Sequence, residues 1–422
     1  MLDVEKILED PEAFDAAMRL RGVEPCAKQI KALDQRRRTA LSVLQEVQTK
    51  RNQLAKQMPL ERDHPETFGR LSQEACQLKG ILPDLEHQAE EAQTALKEFL
   101  SCLPNTPADD VPHGVDEKAN VVLRRWGEPP TFAFTPKTHD VLGETRGLMD
   151  FQLAATLAGA RFSVLKGGLA RLERALAAFM LDIHTKEFGY QEVSPPYLVR
   201  PEILYGTGQL PKFQDDLFCT TDGRWLIPTA EVVVTNFVRN KVLDEKDLPL
   251  RFVAHTPCFR SEAGAAGRDT KGLIRVHQFS KVELVSITTP AQSEAEFPRM
   301  VGVVETVLQR LRLPYRVVAL STGDMSFSAK RTHDLEVWLP GAEEYREVSS
   351  CSWCGDFQAR RMQARYSPVV KGSSPMYVHT FNGSGLPIGR TLVAVIENYQ
   401  QEGGSITVPD ALKPYMDNQE TI

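Results

Sequence analysis

The sequence predicts an α+β protein: an N-terminal antiparallel helical hairpin, a coiled coil, followed by a larger domain built on an antiparallel sheet. Three observations carry this. Two apolar stripes of three-four spacing flank a short proline-bounded break at Pro59–Pro65. A segment rich in Pro, Gly and Asp follows, from Pro104 to Asn120. Beyond it helical and strand patterns mix, with few of the βα units that a parallel sheet requires. The boundaries this suggests are 1–105 for the hairpin domain, 106–125 for a linker and 126–422 for the mixed domain.

The first stripe runs through Ile30, Leu33, Ala40, Leu44, Val47, Leu54 and Met58, with Arg37 and Arg51 filling two steps. The second runs through Leu71, Ala75, Leu78, Leu82, Leu85, Ala89, Ala92, Leu96 and Phe99. At 1.5 Å per residue, arms of about 28 residues reach roughly 40 Å. Gly80 and Pro83 interrupt the second stripe, so a kink or a fresh helix start is expected there. The arms differ in charge. Residues 28–57 carry eight Lys or Arg against two acids, including Arg36, Arg37, Arg38, Lys50 and Arg51. Residues 71–100 carry two against six. Such a basic arm is either a solvated face balanced across the hairpin or a surface for a polyanion.

In the mixed domain, LARLERALAAFMLDIH (Leu169–His184) is amphipathic with a helical period, and DLEVWL (Asp334–Leu339) alternates as a strand does. The whole chain of 422 residues has a net charge of −6, which argues against wholesale nucleic-acid binding but not against a local basic surface. No apolar run reaches the ~18–20 residues a membrane span needs, and the start lacks a basic-then-apolar signal pattern. Seven cysteines at irregular spacing suggest no disulfide framework. Together these point to a cytoplasmic protein. The pair Cys351–Cys354 reads as two reduced thiols, because no second ligand pair for zinc stands near it.

Three stretches carry potential chemistry. In FRSEAGAAGRDTKGLIRVHQFSKVEL (Phe259–Leu284), strand alternation would put Arg260 and Glu262 on one face with Thr256 and Cys258. The returning strand would put Arg275, Phe279 and Glu283 together, with His277 and Lys281. Between the strands lies a glycine-rich loop carrying Arg268 and Lys271, longer than the ~2–5 residues of a structural hairpin. In FNGSGLPIGRTLVAVIENYQ, three glycines precede Arg390 at the start of an apolar helix, where a fixed cation faces an anion well. No GxxxxGK[ST] is present. In EVSS, Glu347 and Ser350 are oxygen donors of the kind Mg²⁺ accepts.

Taken together these stretches resemble the class II aminoacyl-tRNA synthetases in their seryl form. FRSEAG…RVHQF…VE resembles motif 2 of that family, and GSGLPIGRTLVAVIEN resembles motif 3. EVSPPYLVRPEILYGTGQLPKF, with Pro196 in place, resembles motif 1, which builds the dimer interface. PTAEV, TGDM, REVSSCS and DFQARR add seryl-type matches, and the resemblance spans essentially the whole chain. It implies that ATP and Mg²⁺ are used to form seryl-adenylate, and that serine then passes to tRNA(Ser); tRNA(Sec) stays open as a second acceptor. Arg260, Arg390 and Glu347 are implied as catalytic. Arg260 would hold the α-phosphate, Glu262 adenine with Phe279 stacked over it, and Arg275 and Arg390 the β/γ side; Ser261, Val276, Val348, Ser349 and Ser350 complete the ATP set. Glu347 and Ser350 would ligate Mg²⁺, with no zinc expected.

For L-serine the resemblance implies Thr229, Ala230, Glu231, Glu283 and Ser384, with Glu283 and Ser384 on the hydroxyl. Arg36, Arg37, Arg38, Lys50 and Arg51 would grip tRNA, Arg268 and Lys271 its acceptor end, and a homodimer would form around Pro196. Phe381, Pro387, Gly80 and Pro83 depart from the family's pattern. Two other readings are a ligase for a carrier protein and an inactive coiled-coil paralogue. The full hairpin argues against the first, and the retained Arg260, Glu262, Glu283, Glu347 and Arg390 against the second. Class I chemistry is excluded by the absence of HIGH and KMSKS.

Overall fold

The computed structural model describes residues 1–263, 271–370 and 372–422, so Arg268 lies outside the described residues. The chain divides into two units, Leu2–Leu103 and Pro104–Ile422 with Met1.

In the first unit, two short helices, Val4–Glu9 and Pro11–Leu20, precede the long α1 (Ala27–Gln57) and α2 (Pro65–Ser101). The N-terminus of α1 is capped from outside: the amides of Cys26 and Ala27 donate to Asp15 Oδ1 at 2.8 and 2.9 Å. Ile30 and Leu54 of α1 and Leu71, Leu82, Ala89, Ala92 and Leu96 of α2 are buried, which is the seam the stripes predict. The expected restart at Gly80–Pro83 does not occur, since α2 runs through both residues. Pro83 lies on an exposed face, where water can satisfy the carbonyl that the ring leaves unpaired, while its neighbour Leu82 is buried and holds the turn in place.

The second unit is organised by an eight-stranded sheet among the described residues. In chain order its strands are β1 (Val121–Trp126), β2 (Gln191–Glu192), β3 (Leu250–Phe259), β4 (Gln278–Thr288), β5 (Tyr315–Ala319), β6 (Arg331–Leu339), β7 (Glu344–Gly355) and β8 (His379–Pro387). They lie in the order β1-β5-β6-β7-β8-β4-β3-β2, antiparallel except where β2 meets β3. Helices α3 (Gly167–Lys186), α4 (Ser293–Arg310) and α5 (Ile388–Asn398) share the main core with one face of this sheet. The amphipathic helix and the DLEVWL strand fall within α3 and β6.

Alternation along β4 sets the location of the site. Val282 and Leu284 point into the core with the helices, whereas Val285 and Ile287 join a second cluster with Ala230, Val234 and Ala254. The near half of that second face, at Phe279, Lys281 and Glu283, is where the cavities open.

Candidate active site

The strands end sooner than alternation alone suggests. β3 stops at Phe259 and β4 starts at Gln278, so Arg260, Glu262, Arg275 and His277 lie beyond them, and Glu262 has a φ of +50°. Their common location is a matter of local pairing. The Arg260 amide donates to the His277 carbonyl at 2.9 Å, and His277 Nδ1 lies 3.0 Å from the Arg260 carbonyl. Arg275 then closes on Glu262 at 2.7 Å.

The Arg260 guanidinium sits 5.2 Å from the Phe279 ring centroid, a cation–π contact, and its Nε donates to the Pro228 carbonyl at 3.3 Å. From the start of α5, Arg390 Nη1 donates to the Glu347 carbonyl at 3.0 Å and pairs with the Glu347 carboxylate at 3.2 Å. Arg260, Glu262, Arg275, Lys281, Glu347 and Ser384 line both a small cavity of about 90 Å³ and a larger one of about 850 Å³. Phe279, Val276 and Arg390 line the first, and Thr229, Glu231, Glu283 and Ser350 line the second.

Two irregularities aim the side chains. The register of β7 on β6 shifts between Glu347 and Ser349. Residues three apart on a regular strand face opposite ways, so this bulge at Val348 is what lets Glu347 and Ser350 open on the same cavity. A second shift, between Ser384 and Leu386, places Ser384 opposite Glu283 while Leu386 pairs with Val282 on the core side. The residue between them has to be glycine: a Cβ on Gly385 would meet His184 Nε2 at 2.7 Å and Leu284 Cγ at 3.0 Å. His184, fully buried in α3, has that nitrogen 2.9 Å from the Gly385 carbonyl. Burial pushes its imidazole down to about 4, so it stays neutral.

The acids of the site divide by environment. Burial, and then the charge of Glu283, push Glu231 up to about 7, while Gln358 Nε2 and Asn382 Nδ2 donate to its Oε1 at 2.7 and 3.0 Å. Glu347 has 46% of its side chain open to the cleft. Burial pushes it up, but Arg390 and Arg260 outweigh burial and hold it below the usual carboxylate range. Asp334, buried opposite Ser350 and hydrogen-bonded to it, is pushed well up by burial and by the charge of Glu347.

Several sequence-predicted side chains are not brought to the cavities. Ser261 Oγ donates to the Asp215 carbonyl at 2.5 Å, Val348 is in the main core, and Ser349 Oγ donates to the Ser384 carbonyl at 2.6 Å. Ala230 is buried in the second cluster. Of the departures, Phe381 is buried and stacked on Trp353 at 6.2 Å, while Pro387 precedes α5 and lines the small cavity. In the hairpin, Arg37 and Arg38 both bind the buried Asp34, at 2.7 and 2.6 Å, and Lys50 meets Glu74 at 2.5 Å. Arg36 lies 4.0 Å from Glu91, Arg51 bonds Asn52, and Lys271 is exposed. Gln358 and Asn382 lie inside quoted stretches, DFQARR and FNGSG, that gave them no role, and His184 and Asp334 carry no motif signal.

Comparison with known proteins fits this geometry. Residues 1–107 match the seryl-tRNA synthetase N-terminal domain, and residues 218–399 match the tRNA synthetase class II core domain (G, H, P, S and T). A serine–tRNA ligase of Maricaulis maris is 56% identical over the full length of both chains. The chain belongs to the seryl-tRNA synthetase family. A seryl-tRNA synthetase is a class II enzyme, and solved members share this fold end to end. The Pyrococcus horikoshii enzyme complexed with ATP superposes with a TM-score of 0.91 at 35% identity, covering 100% of this chain and 99% of its own. The Naegleria fowleri cytoplasmic enzyme in complex with AMP gives 0.86 at 28%, covering 100% and 98%. In this seryl-tRNA synthetase the bulges at Val348 and Gly385 thus shape the two cavities that lie side by side on one sheet face.

Proposed function

We propose that this seryl-tRNA synthetase joins L-serine and ATP into seryl-adenylate with release of pyrophosphate, then transfers serine to the 3′ end of tRNA(Ser). The observation that carries the reading is the sharing of one wall by two cavities. Phe279 and Arg390 line one cavity, Thr229, Glu231 and Glu283 line the other, and Arg260, Arg275 and Ser384 line both. Phe279 stacks adenine, Glu262 meets its edge, and Arg260 and Arg390 neutralise charge at the phosphates, where positioning and electrostatics do most of the catalysis. Arg275 takes the β/γ side on leaving Glu262. Glu231 receives the serine ammonium beside Thr229, and Glu283 with Ser384 takes the hydroxyl. A site built around a hydroxyl rejects alanine because its polar groups would be left unpaired.

The oxygen donors Glu347 and Ser350 fit Mg²⁺, since Glu347 is held ionised, is open to the cleft and shares the Ser350 side of β7. When bound, the ion would neutralise phosphate charge. On the basic arm, Arg36, Lys50 and Arg51 contact the tRNA backbone, with Lys271 nearer the acceptor end; Arg37 and Arg38 divide their charge with Asp34. The exposed Tyr197 and Leu198 beside Pro196 suit a homodimer contact, and the setting is the cytoplasm.

The test is amino-acid-dependent ATP–pyrophosphate exchange with each standard amino acid. Serine alone is expected to support it, and Arg260→Ala to abolish it. Exchange with threonine or alanine instead of serine would sink the specificity reading, and no exchange would favour the inactive paralogue. The combined Arg36→Ala, Lys50→Ala and Arg51→Ala variant, which leaves Asp34 its partners, is expected to keep exchange and lose charging of tRNA(Ser); a tRNA(Sec) transcript in the same assay decides that substrate.

A further inference from the structure

Lys281 stands on the site face of β4 between two side chains with assigned roles. Phe279, Lys281 and Glu283 alternate along the strand, so each is about 7 Å from the next. The opposing residues are Thr256 on β3 and Pro387 on β8. The lysine is only 5% exposed, yet it lines both cavities. Its ammonium forms an ion pair with the carboxylate of Glu283, itself 2% exposed.

An ammonium this buried is retained only with a partner of opposite charge. A buried carboxylate without a cation tends to take a proton, and the protonated form donates a hydrogen bond where the ionised form only accepts. That difference matters at a pocket for a hydroxyl. The acid whose job is to accept from the serine O–H must not present an O–H of its own. The two glutamates of the cavity are provided for differently. Glu231 has amide donors and no ion-pair partner among the described residues, which suits an acid that awaits an ammonium. Glu283 has its cation built in.

We infer that Lys281 is a positioning residue for amino-acid selection, holding the Glu283 carboxylate as a fixed acceptor for the substrate hydroxyl. This rests on the reading that Glu283 meets that hydroxyl, and the experiment separates the two. Exchange kinetics are measured on the full-length protein for Lys281→Met, Glu283→Gln and the double variant. Lys281→Met is expected to raise the KM for serine on the order of 10- to 100-fold, as loss of a buried charge partner does. Its KM for ATP is expected to stay within about threefold. In the Glu283→Gln background the amide needs no cation and the lysine has already lost its partner, so Lys281→Met is expected to add less than about threefold.

A fall in kcat with serine KM unchanged would overturn the inference, because the charge would then act on the phosphate side. Independent, multiplying effects in the double variant would overturn it as well. If Glu283→Gln leaves the serine KM unchanged, the assignment of Glu283 itself fails. If Glu283→Gln raises it and Lys281→Met does not, only the inference about Lys281 fails. Should Lys281→Met yield no folded protein, the double variant decides, since it leaves no unpaired buried charge: equality with Glu283→Gln supports the inference, and a further tenfold loss overturns it.

Discussion

Replacing Glu231 by Gln removes one negative charge from the larger cavity and keeps an oxygen for the two amides that donate to it, Gln358 and Asn382. Burial raises Glu231 from 4.5 to about 7. At ~1.36 kcal/mol per unit that is about 3 kcal/mol of penalty on the ionised form. A group whose folded pKa lies above its unfolded value stabilises the fold below the unfolded pKa, and this is lost as pH rises through the folded one. The window here runs from 4.5 to about 7. The ligand-free protein at pH 8 therefore carries nearly the whole penalty, and at pH 5 less than about 1 kcal/mol of it. For a unit of this size 1 kcal/mol shifts Tm by roughly 1.5 °C.

Glu231→Gln is thus expected to raise the Tm of the ligand-free protein by about 4 °C at pH 8 and by about 1 °C at pH 5, while the KM for serine rises steeply. Thermal unfolding followed by circular dichroism at the two pH values, beside exchange kinetics, measures both. A lower Tm at pH 8, or the same difference at both pH values, would refute the reasoning. On the proposed assignment the gain in stability and the loss of function have one origin: burial opposes the charge that the substrate ammonium would meet.

Serine binding near pH 7 is expected to release about half a proton, because the ammonium requires ionised Glu231; calorimetry in buffers of different ionisation enthalpy reads this, and release that does not vary between pH 6 and 8 would contradict it. His184, neutral in the fold with its pKa lowered to about 4, makes the opposite contribution. Its stability is complete above 6.5 and is lost as pH falls toward 4, by about 2–3 kcal/mol at pH 4.5. Denaturant midpoints of His184→Gln should be less acid-sensitive than the parent's, and equal slopes would count against burial as the cause. Gly385→Ala forces a Cβ to 2.7 Å from His184 Nε2. It is expected to cost ~1–3 kcal/mol in a denaturant titration and to raise the serine KM by displacing Ser384; an unchanged KM would separate the bulge from the site.

The hairpin was legible because coiled-coil spacing is a local signal, and the long α1 and α2 follow the two stripes. The antiparallel sheet was legible from the scarcity of βα units. Alternation grouped Phe279, Lys281 and Glu283 correctly, since these lie inside β4. For Arg260, Glu262 and Arg275 the grouping is right and its reason is not: both strands have ended, and pairing between Arg260 and His277 brings them together. Bulges leave no local signature, so the alignment of Glu347 with Ser350 could not be read from their spacing. Long-range partners are equally hidden, for Gln358 and Asn382 lie 127 and 151 residues from the Glu231 they hold. The basic arm shows the converse problem. Composition counts Arg37 and Arg38 as free charge, while the fold turns both toward Asp34.

Two acids of this sheet face shift in opposite directions. Glu231 and Glu347 both lose hydration, and burial pushes both upward. Cations act on both, and the balance differs: Arg390 and Arg260 bring Glu347 below its ordinary value, while for Glu231 burial and the charge of Glu283 outweigh Gln358, Lys281 and Arg260. Glu347 is therefore an anion in the ligand-free protein. Glu231 is only half ionised near pH 7 and becomes fully so when an ammonium arrives. On the proposed assignment of Glu231 to the substrate ammonium, a neutral or anionic molecule of the same size offers no such return, so part of the selection for an amino acid would lie in the energy the empty cavity holds against its own glutamate.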